Sequence, residues 1–321
     1  MSLTRRSLPL LACPALARAQ AWPSRPITLV VPFAAGGNVD AVARVLAPEL
    51  SRRLGVNVVV ENVPGAGGVI GTERVARAAP DGHTLVVAVE STLAIAPFVT
   101  PNVVRYDALV DFAPVAMLAT LPLCLSGRLD LAADDLPALI TLAQRSPDGL
   151  TYATSGTGTS LHLLGEIIAA RTGARLEHVP YRISAQIPTD LMGGRLDLAI
   201  MAVTLAAPLV RGGRIRAYAV SAAAEHVSLP GVPPLGSLPA MAGFSMEVWQ
   251  GVFAPARTDP ALVERLAAEI QMAMGEPETQ RRLAGIGMTG SNLALGALGR
   301  LVQSEITRYE AVVRAANIRL D

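Results

Sequence analysis

Between Asp134 and Val220 the chain alternates without a break between helix-like and strand-like segments, and few architectures accept that order. Helices are expected over 136–145, 161–171, 184–192 and 205–211, with short apolar strands over 150–154, 176–180, 196–201 and 215–220. Such an order implies a parallel sheet with both faces covered by helices. The first part of the chain follows the same rule, with strands expected at 27–31, 56–61 and 85–89 and helices at 41–54 and 69–78. Between the two parts, 115–125 is a long apolar stretch interrupted at Pro122, which can carry the chain into a second unit. Residues 225–243 are rich in Pro, Gly and Ala and read as a linker or return loop. After them come one strand at 247–254 and helical segments at 260–274, 277–285 and 297–316. A lone strand cannot build a third domain, so this tail is expected to pack back on the first unit. The expected organisation is therefore α/β and bilobed: a first lobe of 20–121 with 222–321, a second lobe of 122–221, parallel sheets in both, and hinge crossings between them.

Two glycine loops mark where such a chain would hold a ligand. The run from Ile27 to Val31 breaks at Pro32, passes Gly36 and Gly37, and enters a helix. Half a chain later, Leu150 to Thr154 runs into Ser155-Gly-Thr-Gly-Thr-Ser160 and another helix. Ligands of open α/β sheets lie outside the carboxyl ends of the strands, where the first turn of a helix leaves N–H groups free for an anion. Two such loops in two units imply a cleft between them that takes a carboxylate or phosphate. The candidate residues of the first loop are Phe33, Ala35, Gly36, Gly37, Asn38 and Val39, and those after the third strand are Glu90, Ser91 and Thr92. In the second lobe they are Ser155, Thr157, Thr159, Ser160 and His162, then Tyr181, Ser184, Val203 and Thr204. Thr157, Thr159 and Ser160 are either direct ligands or caps of the helix that follows. Tyr181 either covers the ligand or fills the seam between lobes. Asp40, in the first helical turn, is assigned a structural role in holding its loop, and Trp249 one in packing near the hinge. Gly65, Gly67 and Gly71 almost make a dinucleotide fingerprint, but Ile70 stands where the third glycine is needed, and a tight packing turn fits better.

The N-terminus carries Arg5 and Arg6, a short apolar segment and Ala17-Arg-Ala19, the pattern of an export signal over 1–19. Thr4-Arg-Arg-Ser-Leu8 also resembles a twin-arginine signal, and either export route fits. Removing three arginines and no acid takes the formal charge from +1 to −2 (+1 − 3). A near-neutral chain argues against nucleic acid, and no apolar run approaches the roughly 20 residues that cross a bilayer. Cys124 alone remains after cleavage, in an apolar run, and reads as a buried small hydrophobe. Every one of the 27 basic residues is arginine. Schiff-base and P-loop lysine chemistry are thereby excluded. With no G-x-S-x-G, H-E-x-x-H or C-x-x-C, hydrolase, zinc-protease and redox chemistry lack their parts. No cofactor, no metal site and no catalytic residue are expected.

From Trp22-Pro-Ser-Arg-Pro-Ile27 almost to its end, the chain resembles the Bug-type extracytoplasmic receptors of tripartite tricarboxylate transporters. The resemblance rests on Val31-Pro-Phe33 with Gly36-Gly37 and Asp40, Val60-Glu-Asn62 with Pro64-Gly-Ala-Gly-Gly68, Ala79-Pro-Asp-Gly82 and Asp111-Phe-Ala-Pro114. It continues through Ser155 to Ser160 with His162-Leu163, Gly165-Glu166, Val179-Pro-Tyr181, Gly193-Gly194 with Asp197, Leu229-Pro-Gly-Val-Pro233, Trp249-Gln-Gly251 and Ala254-Pro255. It implies a periplasmic, monomeric binding protein of the type II fold. It also implies a small carboxylated ligand held by backbone N–H groups and water, delivered to a large and a small membrane subunit. A receptor signalling to a membrane sensor, and an enzyme on the same bilobed fold, are the alternative functions.

Departures from that family pattern fall where the ligand should lie. Val39 replaces the usual Thr, Glu90 replaces a small or amide residue, Ile183 replaces a Gly, and the usual polar stretch is Ala199-Ile-Met-Ala-Val203. A carboxylate at Glu90 would repel a second acidic group on the ligand and attract an amine. The expected ligand has one carboxylate and an amine or apolar body, unless Glu90 points to solvent or is neutralised by Arg182.

Overall fold

The computed structural model describes residues 22–181 and 183–315. The expected export signal and Arg182 lie outside the described residues. In chain order the elements are β1 (Ile27–Val31), α1 (Asn38–Leu54), β2 (Val58–Asn62), α2 (Val69–Ala76), β3 (Thr84–Val89), α3 (Ala96–Val99) and β4 (Phe112–Gly127). The alternating region gives α4 (Leu136–Arg145), β5 (Leu150–Thr154), α5 (Ser160–Thr172), β6 (Leu176–Pro180), α6 (Ile187–Met192), β7 (Leu198–Ala202), α7 (Val203–Arg211) and β8 (Arg216–Val220). The tail supplies β9 (Glu247–Pro255), α8 (Pro260–Gly275), α9 (Pro277–Gly285), β10 (Thr289–Gly290) and α10 (Leu295–Ala315).

These strands make two mixed sheets that share β4. In the first the order is β2-β1-β3-β9-β4, with β1 parallel to β2 and β3, and β9 antiparallel to both β3 and β4. In the second, β6, β5 and β7 are mutually parallel, and β4 runs antiparallel between β7 and β8. The bilobed α/β fold is as expected, with one refinement: each parallel set is completed by antiparallel strands rather than standing alone. Leu29, Val30 and Val31 are fully buried on both faces of β1 because helices cover each side of the sheet.

Pro122 does not interrupt its strand. Residues 112–122 pair with β9, and from Leu123 to Gly127 the same strand pairs with β7 and β8 instead. A residue without an N–H sits where one ladder is released and the other begins, a position that tolerates proline. Beside it the return crossing is stapled by buried Ser221. Its N–H donates to Leu123 O (2.8 Å), its hydroxyl accepts from Leu123 N (2.8 Å) and donates to Met246 O, and Met246 N donates back to Ser221 O (2.8 Å). The next residues differ from expectation: 222–245, placed above with the first lobe, pack on the second. Leu229 and Val232 join the apolar cluster of Val203, Ala207 and Val220, Val220 N donates to Pro233 O (2.9 Å), and the Arg171 guanidinium lies 5.4 Å from the Phe244 ring. From Met246 onward the tail returns to the first sheet, with α8 against α1 and β4, and Arg53 paired to Glu269 at 2.9 Å. Cys124 is fully buried, its thiol pushed up to about 12 by desolvation, which leaves it inert.

Candidate ligand cleft

The opening loop is held from behind by one ionised acid. Gly36, at φ +85°, turns the chain so that its N–H donates to Asp40 Oδ2 (2.9 Å). Arg44 Nε donates to the same oxygen (2.9 Å), and Asn62 Nδ2 donates to Asp40 Oδ1 (2.9 Å) and to Phe33 O (3.1 Å). Burial alone would raise this carboxyl's pKa, but the hydrogen bonds from Arg44, Gly36 and Asn62 outweigh it and hold the group below its ordinary value. Asp40 therefore serves the loop and borders neither cavity of the cleft.

The second loop rests on neutral groups. Thr159 caps α5: its Oγ1 accepts from His162 N (3.4 Å) and donates to Gly156 O (2.8 Å). The buried His162 ring turns inward, where Nδ1 accepts from Gly158 N (3.3 Å) and the ring stacks on His178 with centroids 4.0 Å apart. His178 Nε2 lies 2.7 Å from Thr154 Oγ1, and Tyr152 closes the stack at 5.1 Å. Desolvation pushes both imidazoles down to about 4. At neutral pH His162 thus carries its proton on Nε2, and its 3.6 Å approach to Glu166 is not an ion pair.

Between the loops lie two adjoining cavities. A recess of about 60 Å³ is bordered by Phe33, Val39, Glu90, Ser91, Thr159 and Ser160. A chamber of about 340 Å³ is bordered by Gly36 and Thr204 together with Ile187, Ile200, Met201, Leu205, Ile286 and Met288. Gly37, Asn38, Ser155, Leu161 and Ser184 border both, so recess and chamber are neighbours along one cleft. The two halves also approach each other closely elsewhere: a Cβ on Gly67 would stand 3.1 Å from Thr157 O, and one on Gly287 would stand 3.6 Å from Thr204 Cγ2.

Six of the residues singled out from sequence stand outside this space. Ala35 borders neither cavity, and Thr157 meets the Gly67 turn through its carbonyl. Thr92 is buried under Gly68 with its hydroxyl donating to Val89 O (3.0 Å), within a π-helical turn, Ser91–Ile95, that takes the place of the expected loop. His162 faces its own lobe. The Tyr181 hydroxyl donates to Asp190 Oδ2 (2.6 Å) instead of reaching the ligand space, and Val203 lies in the second core. Sequence reading missed Ile286 and Met288, which the tail brings over the chamber from a helix end that carries no motif. It also missed Ile187 and Leu205, whose only signal was an apolar character shared with any core position.

Glu90 corrects the expectation most. It is not exposed, and its surroundings disfavour the charged form. The side chain is fully buried; Oε2 accepts from Trp249 N (3.1 Å), and Oε1 has no partner among the described residues. Desolvation pushes the carboxyl up to about 8, against the smaller pull of the nearby Ser160 hydroxyl and the Trp249 N–H. Trp249 itself packs in the first lobe against Phe253, with ring centroids 6.2 Å apart.

Residues 42–318 match the family described as the tripartite tricarboxylate transporter family receptor. Over 92% of the chain and 88% of the relative, it is 40% identical to a Pseudomonas sp. (strain P51) protein known as the UPF0065 protein in the tcbD-tcbE intergenic region. Two solved structures from Rhodopseudomonas palustris are each 32% identical. Rpa4515 with adipate superposes with a TM-score of 0.87 over 93% of this chain and 100% of that one, and MatC with bound malate with 0.84 over 91% and 100%.

Proposed function

This chain belongs to the tripartite tricarboxylate transporter receptor family, and we propose that it is an exported receptor that captures a small carboxylated molecule and presents it to a two-component membrane transporter. The observation that carries the reading is the facing pair of glycine loops, each opening onto one cleft from a different sheet. Backbone N–H groups at the starts of α1 and α5, with the hydroxyls of Ser91, Ser155 and Ser160, suit an anion without a fixed cation. Relatives in complex with adipate and malate support a carboxylate as that anion.

The lobes we assign are 22–122 with 246–315, and 123–245, hinged at the Leu123–Ser221–Met246 staple. In the arrangement described, Gly67 meets Thr157 and Gly287 meets Thr204, which suits a closed state reached by hinge motion about two crossings. Among the described residues no helix is long and apolar enough to cross a membrane, and the membrane step belongs to partner subunits. The test is a thermal-shift screen of carboxylic acids followed by small-angle scattering. A ligand at a hundred times its dissociation constant stabilises the fold by about 2.7 kcal/mol, and saturation is expected to reduce the radius of gyration. A saturating acid that leaves the radius unchanged would sink the hinge, and silence from every acid would sink the receptor.

A further inference from the structure

The two ends of the ligand space differ in chemistry in a way that selects among carboxylates. We infer that the cleft takes acids with a single carboxylate on an uncharged, apolar body, the carboxylate seated in the recess at Glu90 and the body in the chamber. The inference rests on the carboxylate-receptor reading above and narrows it.

Consider the chamber first. Beyond the residues it shares with the recess, its described border offers one polar side chain, Thr204, and otherwise Ile187, Ile200, Met201, Leu205, Ile286 and Met288. No charged side chain borders it among the described residues. Beyond the shared border, a second carboxylate pushed into this volume would leave water and meet, among the described residues, no cation and one hydroxyl, that of Thr204, which is an unfavourable transfer. An alkyl or aromatic body would gain from the same surface.

The recess has the opposite character. It is bordered by the starts of two helices, by Ser91, Ser155 and Ser160, and by one buried carboxyl, that of Glu90. Oε2 of Glu90 is engaged by Trp249 N, while Oε1 is enclosed and unpartnered. With its proton retained, Glu90 adds no negative charge to the recess border, so a ligand carboxylate seated there meets no like charge. The titratable groups facing Glu90 are Glu305 and Tyr309 of α10. Glu305 favours the protonated form by its own charge, and Tyr309, itself held neutral by burial, supplies no cation. Arg308 turns to Glu305 and to Ser245 O.

Calorimetry on the mature protein with acids of matched length tests this directly. Hexanoate and phenylacetate are expected to bind at least a hundredfold more tightly than adipate or malate at pH 7. Between pH 7 and 9, hexanoate affinity is expected to fall about tenfold as Glu90 ionises and repels the ligand. Glu90→Gln, which cannot ionise, is expected to abolish that fall. Leu205→Arg, which places a cation in the chamber, is expected to move the preference toward adipate; its melting curve reports whether it folds. Diacids binding as tightly as monoacids would overturn the inference and leave the receptor reading standing. An unaltered pH profile in Glu90→Gln would remove the carboxylate from the recess. No heat with any acid, mono or di, would instead sink the receptor reading itself.

Discussion

The two loops that face each other across the cleft share a local plan, strand to glycine turn to helix start, yet they are anchored by opposite chemistry. Behind the first stands Asp40, ionised and accepting from Gly36, Arg44 and Asn62. Behind the second stands His162, neutral and stacked on His178, accepting from Gly158. A loop that must offer free N–H groups to an anion has to be fixed from its far side, and any acceptor will do for that. The choice of acceptor decides how the loop responds to acid and to mutation.

The largest effect is expected where the anchor is charged and serves most partners. Asp40→Ala leaves the Gly36 N–H and the Arg44 Nε–H without their acceptor and the Asn62 amide with only Phe33 O, and a loss of about 3 kcal/mol is expected in urea unfolding. Ligand affinity should fall at least tenfold, since the loop that supplies Gly37 loses its support. His162→Asn, which can still accept from Gly158, is expected to be milder on both counts. Equal losses would show that charge does not distinguish the anchors.

Acid should separate the loops more sharply. The folded pKa of His162, about 4, lies below the unfolded value near 6.5, so the unfolded chain binds more protons between them. Stability is therefore present in full above pH 6.5 and is lost as the pH falls toward 4. For His162 the loss at pH 5 is about 2 kcal/mol. Asp40 is depressed below the ordinary carboxylate value, so its contribution is present in full above that value and is lost only as the pH falls through the lower folded one, on the acid side of the His162 loss. Hydrogen exchange at pH 5 should show residues 154–165 losing protection before 32–44. Simultaneous loss would mean the lobes open as one unit and the histidine stack is not the weak point.

The alternation, the two glycine loops and the inward role of Asp40 were legible because each is written in neighbouring residues: a period, a breaker, an acid in a first turn. Gly71 belongs with them, since a Cβ there would stand 2.6 Å from Val63 O and 2.8 Å from Pro32 Cα, the close packing that a turn without a dinucleotide role requires. Features decided by distant partners were not legible. Pro122 reads locally as a break and stands within a 16-residue strand because two sheets exchange there. Glu90 reads as a charge, and that charge is disfavoured by a wall to which β9 and α10 contribute, residues far away in the chain. His162 sits one turn from the ligand space on a helix, and only the position of His178 on the neighbouring strand explains why it turns away.

The smallest effect concerns the helix starts themselves. Thr159 caps α5 with its side chain, whereas Gly37, at the same position on α1, offers none although its backbone (φ −80°, ψ 173°) is that of an ordinary cap. Thr159→Ala should therefore cost about 1 kcal/mol, while Gly37→Ser should stabilise by a few tenths. Space behind Gly37 permits the change, because a Cβ there meets only Ala34 O at 3.6 Å. Gly37 nevertheless borders both recess and chamber, and a hydroxymethyl group would stand over the N–H groups that the ligand needs. The expected result is a slightly higher melting temperature with weaker binding of every acid. If Gly37→Ser binds as well as wild type, the anion does not rest on the start of α1.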